Sequence, residues 1–74
     1  MAYAQVGQQY RKVDGTRSVW QVTAVEADLN GIRHCHIVDI RDRTSTKAIS
    51  ESTLTKRRFF RLVAEHAASH EYVE

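Results

Sequence analysis

The sequence predicts a small all-β domain in which five short strands wrap into a barrel. Three observations carry this prediction: a long alternating hairpin in residues 19–40, three shorter apolar segments around it that are bounded by polar turns, and the small size of the chain. Five strands of this length, left as an open sheet, would expose long edges, and bending them into a barrel removes most of that exposure.

The hairpin is the centre of the prediction. Two apolar runs, Val19 to Val25 and Cys35 to Val38, flank Asp28, Leu29, Asn30 and Gly31. Asn followed by Gly is the strongest short hairpin signal, because both residues tolerate the positive φ that a tight turn between right-twisted strands requires. A two-residue turn at Asn30 and Gly31 sets Ala24 opposite Ile37. A four-residue loop over 28–31 instead sets Val22 opposite Ile37 and Ala24 opposite Cys35. In both registers Trp20, Val22, Ala24, Cys35 and Ile37 share one face, which is the expected core. The other face carries Val19, Gln21, Thr23, Val25, His34, His36, Val38 and Ile40 and suits partial exposure.

The other elements follow in order. Residues 1–6 show no pattern and read as a frayed N-terminal tail; the barrel is expected over 7–63, beginning at Gly7. Residues 8–13 form a first strand with Tyr10 inward, and Asp14, Gly15 and Thr16 form a turn in which Gly15 takes a left-handed conformation. The polar run 41–46 is the next turn, and Lys47, Ala48 and Ile49 form the fourth strand, with Ile49 pointing into the core. Residues 50–54 suit a single capped helical turn that sets Leu54 on the end of the barrel. Residues 59–63 form the fifth strand, with Phe60 and Leu62 inward. Residues 64–74 are an acidic C-terminal tail, either disordered or a short helix docked through its alanines.

Composition limits what such a domain can do. At 74 residues it is one domain that buries only about 60% of its unfolded surface, with little room for an enclosed active site. With 42% hydrophobic and 27% charged residues it has a globular balance. A single cysteine, Cys35, allows no internal disulfide and is expected to be a buried thiol of an intracellular protein. No apolar run approaches the ~18 residues of a membrane span, and the first residues lack the features of a signal peptide, so a soluble, cytoplasmic protein is expected.

Gly7 and Tyr10, Trp20 and Val22, the Gly31 turn with His34 after it, Ile49, Ser50 and Leu54, and the aromatic pair Phe59 and Phe60 occur in an order that resembles small SH3-like β-barrel proteins of bacteria. The resemblance covers roughly residues 6 to 63 and rests on core and turn positions. It implies a five-stranded SH3-like barrel with a short helical turn before the last strand, and it implies no particular activity. The chain departs from the peptide-binding SH3 domains of signalling proteins, since it lacks their acidic first loop and their paired aromatics.

Charge supplies the strongest functional signal. All eleven Lys and Arg residues lie between Arg11 and Arg61; with six acids, residues 1–63 carry +5, and residues 64–74 carry −3. Arg41, Arg43 and Lys47 flank one turn, while Lys56, Arg57, Arg58 and Arg61 stand at the start of the last strand. If folding brings the two groups together, they form a patch that holds phosphates by counterion release, and an exposed Phe59 beside it would stack a base. His34, His36 and Cys35, with His66 and His70 spaced by four, form a metal set on paper. Cys35, however, faces away from the first two histidines, and no metal or cofactor is expected. Asp39, Asp42 and Glu51 suit salt links to Arg41, Arg43 or Lys47 better than acid–base catalysis, and no nucleophile motif or phosphate-cradling loop is present. The sequence therefore points to a non-catalytic binding module that contacts nucleic acid or another polyanion. The competing expectation is a protein-interaction or self-associating module that uses a strand edge or the outer apolar residues Val19, Val25, Val38 and Ile40, with Tyr72 and Val73 of the tail.

Overall fold

Alternation in residues 19–40 produces the longest ladder of the molecule, which joins β2 (Val19–Ala27) to β3 (Arg33–Asp39). The computed structural model describes residues 3–65. The other strands are β1 (Gln9–Lys12), β4 (Thr46–Ser50) and β5 (Phe60–Ala64), and a single-turn helix, α1 (Glu51–Leu54), precedes β5. All pairings are antiparallel, in the order β4-β3-β2-β1-β5, so β4 and β5 are the edges of one open five-stranded sheet. The small all-β architecture expected from the sequence is the one observed.

The hairpin turn differs from both expected loops. Asp28 and Ile32 close it through the Asp28 amide and the Ile32 carbonyl at 2.9 Å, and the Gly31 amide donates back to the Asp28 carbonyl at 2.9 Å. Three residues therefore span the turn, and only Gly31 has a positive φ, +81°. This is the pattern of an ordinary β-turn followed by a left-handed glycine. The Asp28 carboxylate fixes the choice by accepting from the amides of Asn30 (2.8 Å) and Ile32 (3.0 Å).

A β-bulge then corrects the expected core. Val22 pairs with Ile37, but the next pairs are Ala24 with His36 and Val25 with Cys35, which leaves Thr23 as the extra residue. The Thr23 hydroxyl donates to the His36 carbonyl at 3.2 Å. Past the bulge the faces exchange, so Val25 packs against the core and Ala24 shares the outer face with His36. Two of the four expected outer apolar residues are covered: Val25 through the bulge, and, independently of it, Val38, which is only 6% exposed between Gln21 and Thr46.

The core gathers Ala4, Tyr10, Trp20, Val22, Cys35, Ile37, Leu54 and Phe60, with Ile49 and Val25 at its margin. Residues from β1, β2, β3, β5 and α1 meet in this cluster, which requires the sheet to curl around it. Ser50 caps α1 by accepting from the Thr53 amide, and Leu54 is fully buried as expected. Residues 3–6 are not a frayed end. Ala4 is 1% exposed, and its amide donates to Glu51 Oε2 at 2.7 Å. Leu62 is 44% exposed, against expectation: it shares a register position with Tyr10, yet it sits on an edge strand that no described element covers. The expected tail conformations at 66–74, with His66, His70, Tyr72 and Val73, lie outside the described residues.

Burial makes two core groups sensitive to alkali. Burial, reinforced by Cys35, Glu65 and Glu51, raises the Tyr10 phenol above its ordinary 10.0. Burial, with Glu51 adding and Arg33 opposing, raises the Cys35 thiol above 9.0. Both ionise more readily in the unfolded chain, so above those values the folded state holds more protons and stability falls as pH rises. Urea midpoints are expected to hold steady up to about pH 8.5 and to decline from about pH 9 upward. Combining Tyr10→Phe with Cys35→Ala should flatten that decline, and an unchanged alkaline limb would show that other groups cause it.

Candidate nucleic-acid interface

Among the described residues, the carboxylates available to neutralise the basic side chains are mostly engaged elsewhere. Of the described Lys and Arg residues only Lys12 and Arg33 form ion pairs with a carboxylate of a described residue, to Asp14 at 3.5 Å and to Glu51 at 3.0 Å. The salt links expected of Asp39 and Asp42 do not form. Asp39 accepts from the Arg41 amide at 2.9 Å, and Asp42 accepts from the Thr44 amide and hydroxyl, because a short acid in a tight turn satisfies its own backbone first. Glu65 accepts from Gln8 at 3.2 Å. None of the seven expected site cations has an acidic partner among the described residues.

Strand pairing then concentrates the charge. Antiparallel pairing of β1 with β5 sets Arg11 directly opposite Arg61. Like charges in that position oppose one another, and neither arginine forms an ion pair with a carboxylate among the described residues. Arg11, Lys12, Arg17 and Arg61 line one shallow depression of about 460 Å³ with Val13 and Gly15. Arg17 has φ +62°, a left-handed conformation rare for a residue with a long side chain. Arg61 also borders a larger groove of about 640 Å³, where Arg57 joins it. The two depressions thus share Arg61.

The turn before β5 lies against the β1–β2 turn, since the Val13 amide donates to the Phe59 carbonyl at 2.8 Å. The turn that carries Lys56, Arg57 and Arg58 is thereby joined to the end of β1, and Arg57 shares the larger groove with Arg61. Arg58 lies 5.8 Å from the ring centroid of Phe59, which is 42% exposed, as a base-stacking residue needs to be.

Lys47 reaches the cluster by a different route. Its ammonium lies 5.0 Å from the Trp20 ring centroid and beside Lys12. Hydrogen-bond contact with Lys12 and the like charge of that ammonium, assisted by partial desolvation and opposed by Asp14, lower Lys47 below the usual lysine value. Arg43 leans across the outer face to Gln21 Oε1 at 3.4 Å. Arg41 stays on the β3–β4 turn, and no hydrogen bond or ion pair of its side chain ties it to the cluster among the described residues.

Folding thus brings Arg57 and Arg61 together in one groove, keeps Lys56 and Arg58 on the adjoining turn, adds Lys47 through Lys12, and gives Arg41 no side-chain tie to the cluster among the described residues. It also recruits Arg11, Lys12 and Arg17, which sequence reasoning missed. The alternation of β1 put Arg11 on the outer face, and a barrel whose first and last strands pair would have put it against Arg61. The histidines go elsewhere: His34 lies 3.1 Å from Asp28 and His36 lies 3.3 Å from Glu26. The bond from His34, with the Ile32 and Asn30 amides, lowers the Asp28 carboxyl. Cys35 is buried on the opposite face, and among the described residues no group of three His, Cys, Asp or Glu side chains is placed to hold a metal ion. No helix among those residues is long and apolar enough to cross a membrane. Comparison with protein-family models, curated proteins and solved structures found no match, so the chemistry of the surface itself carries the interpretation.

Proposed function

We propose that the domain is a non-catalytic module that binds nucleic acid through the basic surface built from β1, β5 and their adjoining turns. The observation that carries this reading is the Arg11–Arg61 cross-strand pair, flanked by Arg17 and Arg57 and without a carboxylate partner among the described residues. Opposed guanidiniums weaken a fold, and a phosphate bridging them would turn that repulsion into attraction. Such binding is sequence-independent and is driven by release of counterions.

Titration of a labelled oligonucleotide tests it. With about four phosphate contacts, affinity should fall roughly 50- to 150-fold between 50 and 200 mM salt, and Arg11→Gln with Arg61→Gln should lower the salt slope by about 2. Absence of binding at about 50 mM salt, or affinity insensitive to salt, would refute the reading.

A second reading is favoured by β5 itself, which is an edge of the sheet among the described residues and carries Leu62 and Val63 exposed. An edge of this kind can add a strand from a second chain. Sedimentation that gives only monomer over a wide concentration range would count against self-association through it.

A further inference from the structure

The larger groove differs from the rest of the basic surface in having aromatic and apolar walls. Tyr3, Tyr10, Phe60 and Leu62 line it together with Arg57 and Arg61. We infer that this groove is a base-binding slot and that the nucleic acid it takes is single-stranded. This inference rests on the basic-surface reading above and goes beyond it by naming the form of the ligand.

Tyr3 is held in place although it is 59% exposed. Glu51 accepts from the Ala4 amide through one carboxylate oxygen (2.7 Å) and from Arg33 Nε through the other (3.0 Å). Arg33 also donates to the Ala4 carbonyl at 3.4 Å and lies 5.7 Å from the Tyr3 ring centroid. An exposed aromatic fixed by a clamp loses little freedom when a base stacks on it. The floor is also set, since the Tyr10 hydroxyl donates to the buried Gln8 side chain at 2.9 Å.

Charge orients the ligand in the slot. Glu65 borders the groove and disfavours phosphate near it, whereas Arg57 and Arg61 attract it. Phosphates therefore lie on the arginine side and the base lies toward Tyr3 and Leu62. Because Arg61 also borders the second depression, the strand continues toward Arg11 and Arg17. A duplex cannot use this arrangement, since the faces of its bases are stacked against one another and only their edges are open.

The test compares an oligothymidylate strand, an abasic strand of the same length and charge, and a duplex, all at one low salt concentration. The wild-type domain should bind the thymidylate strand about tenfold more tightly than the abasic one and more tightly than the duplex. Tyr3→Ala should remove the preference for bases while leaving abasic-strand affinity and its salt slope unchanged, and Tyr3→Phe should retain it. Equal affinity for the thymidylate and abasic strands, or a preference for duplex, overturns the slot and leaves the basic-surface reading standing. Failure of every strand to bind overturns both.

Discussion

Trp20→Ala is expected to lower stability by about 3–5 kcal/mol, a large part of what a domain of this size possesses. Trp20 lies buried between β1 and β3, opposite Tyr10 on one side and Asp39 on the other. Its indole Nε1–H donates to Ser18 Oγ at 3.1 Å, and Lys47 closes over its ring. Truncation would remove the largest side chain of the core and leave a void that the flanking ladders resist closing. A shift of this size should lower the melting temperature by more than about 10 °C, read by circular dichroism. A variant that melts with the parent would contradict the placement of Trp20 inside the curled sheet.

Leu54→Ala is expected to cost about 2–5 kcal/mol, while Leu62→Ala should cost under about 1 kcal/mol. The residue type is the same and the surroundings are not. Leu54 is fully buried at the end of α1, where Ser50 capping and the short turn leave no freedom to collapse into a cavity. Leu62 stands in the groove wall, already in contact with water. Urea unfolding of the two variants side by side checks the difference. Equal losses would place Leu62 in the core and remove it from the groove.

These two leucines also show how far sequence reasoning reaches. Leu54 was legible because its burial follows from local chemistry, a serine cap four residues before a single apolar position. Leu62 was misread because alternation reports which face of a strand a side chain occupies and says nothing about whether another element covers that face. Ala4 illustrates the converse, a small residue in an unpatterned stretch that is drawn inward by a carboxylate 47 positions away.

By itself the sequence determined the five strands, the glycine turns, the capped helical turn and most of the core, including Tyr10, Trp20, Val22, Cys35, Ile37, Leu54 and Phe60. Each follows from a pattern contained within a few neighbouring residues. Only the tertiary structure decided the bulge that exchanged Ala24 for Val25, the burial of Ala4 and the meeting of Arg11 with Arg61. The bulge and the arginine pair depend on register between strands, which a single extra residue or a pairing fifty positions apart changes without a mark on either local pattern, and Ala4 depends on a hydrogen bond to a distant carboxylate.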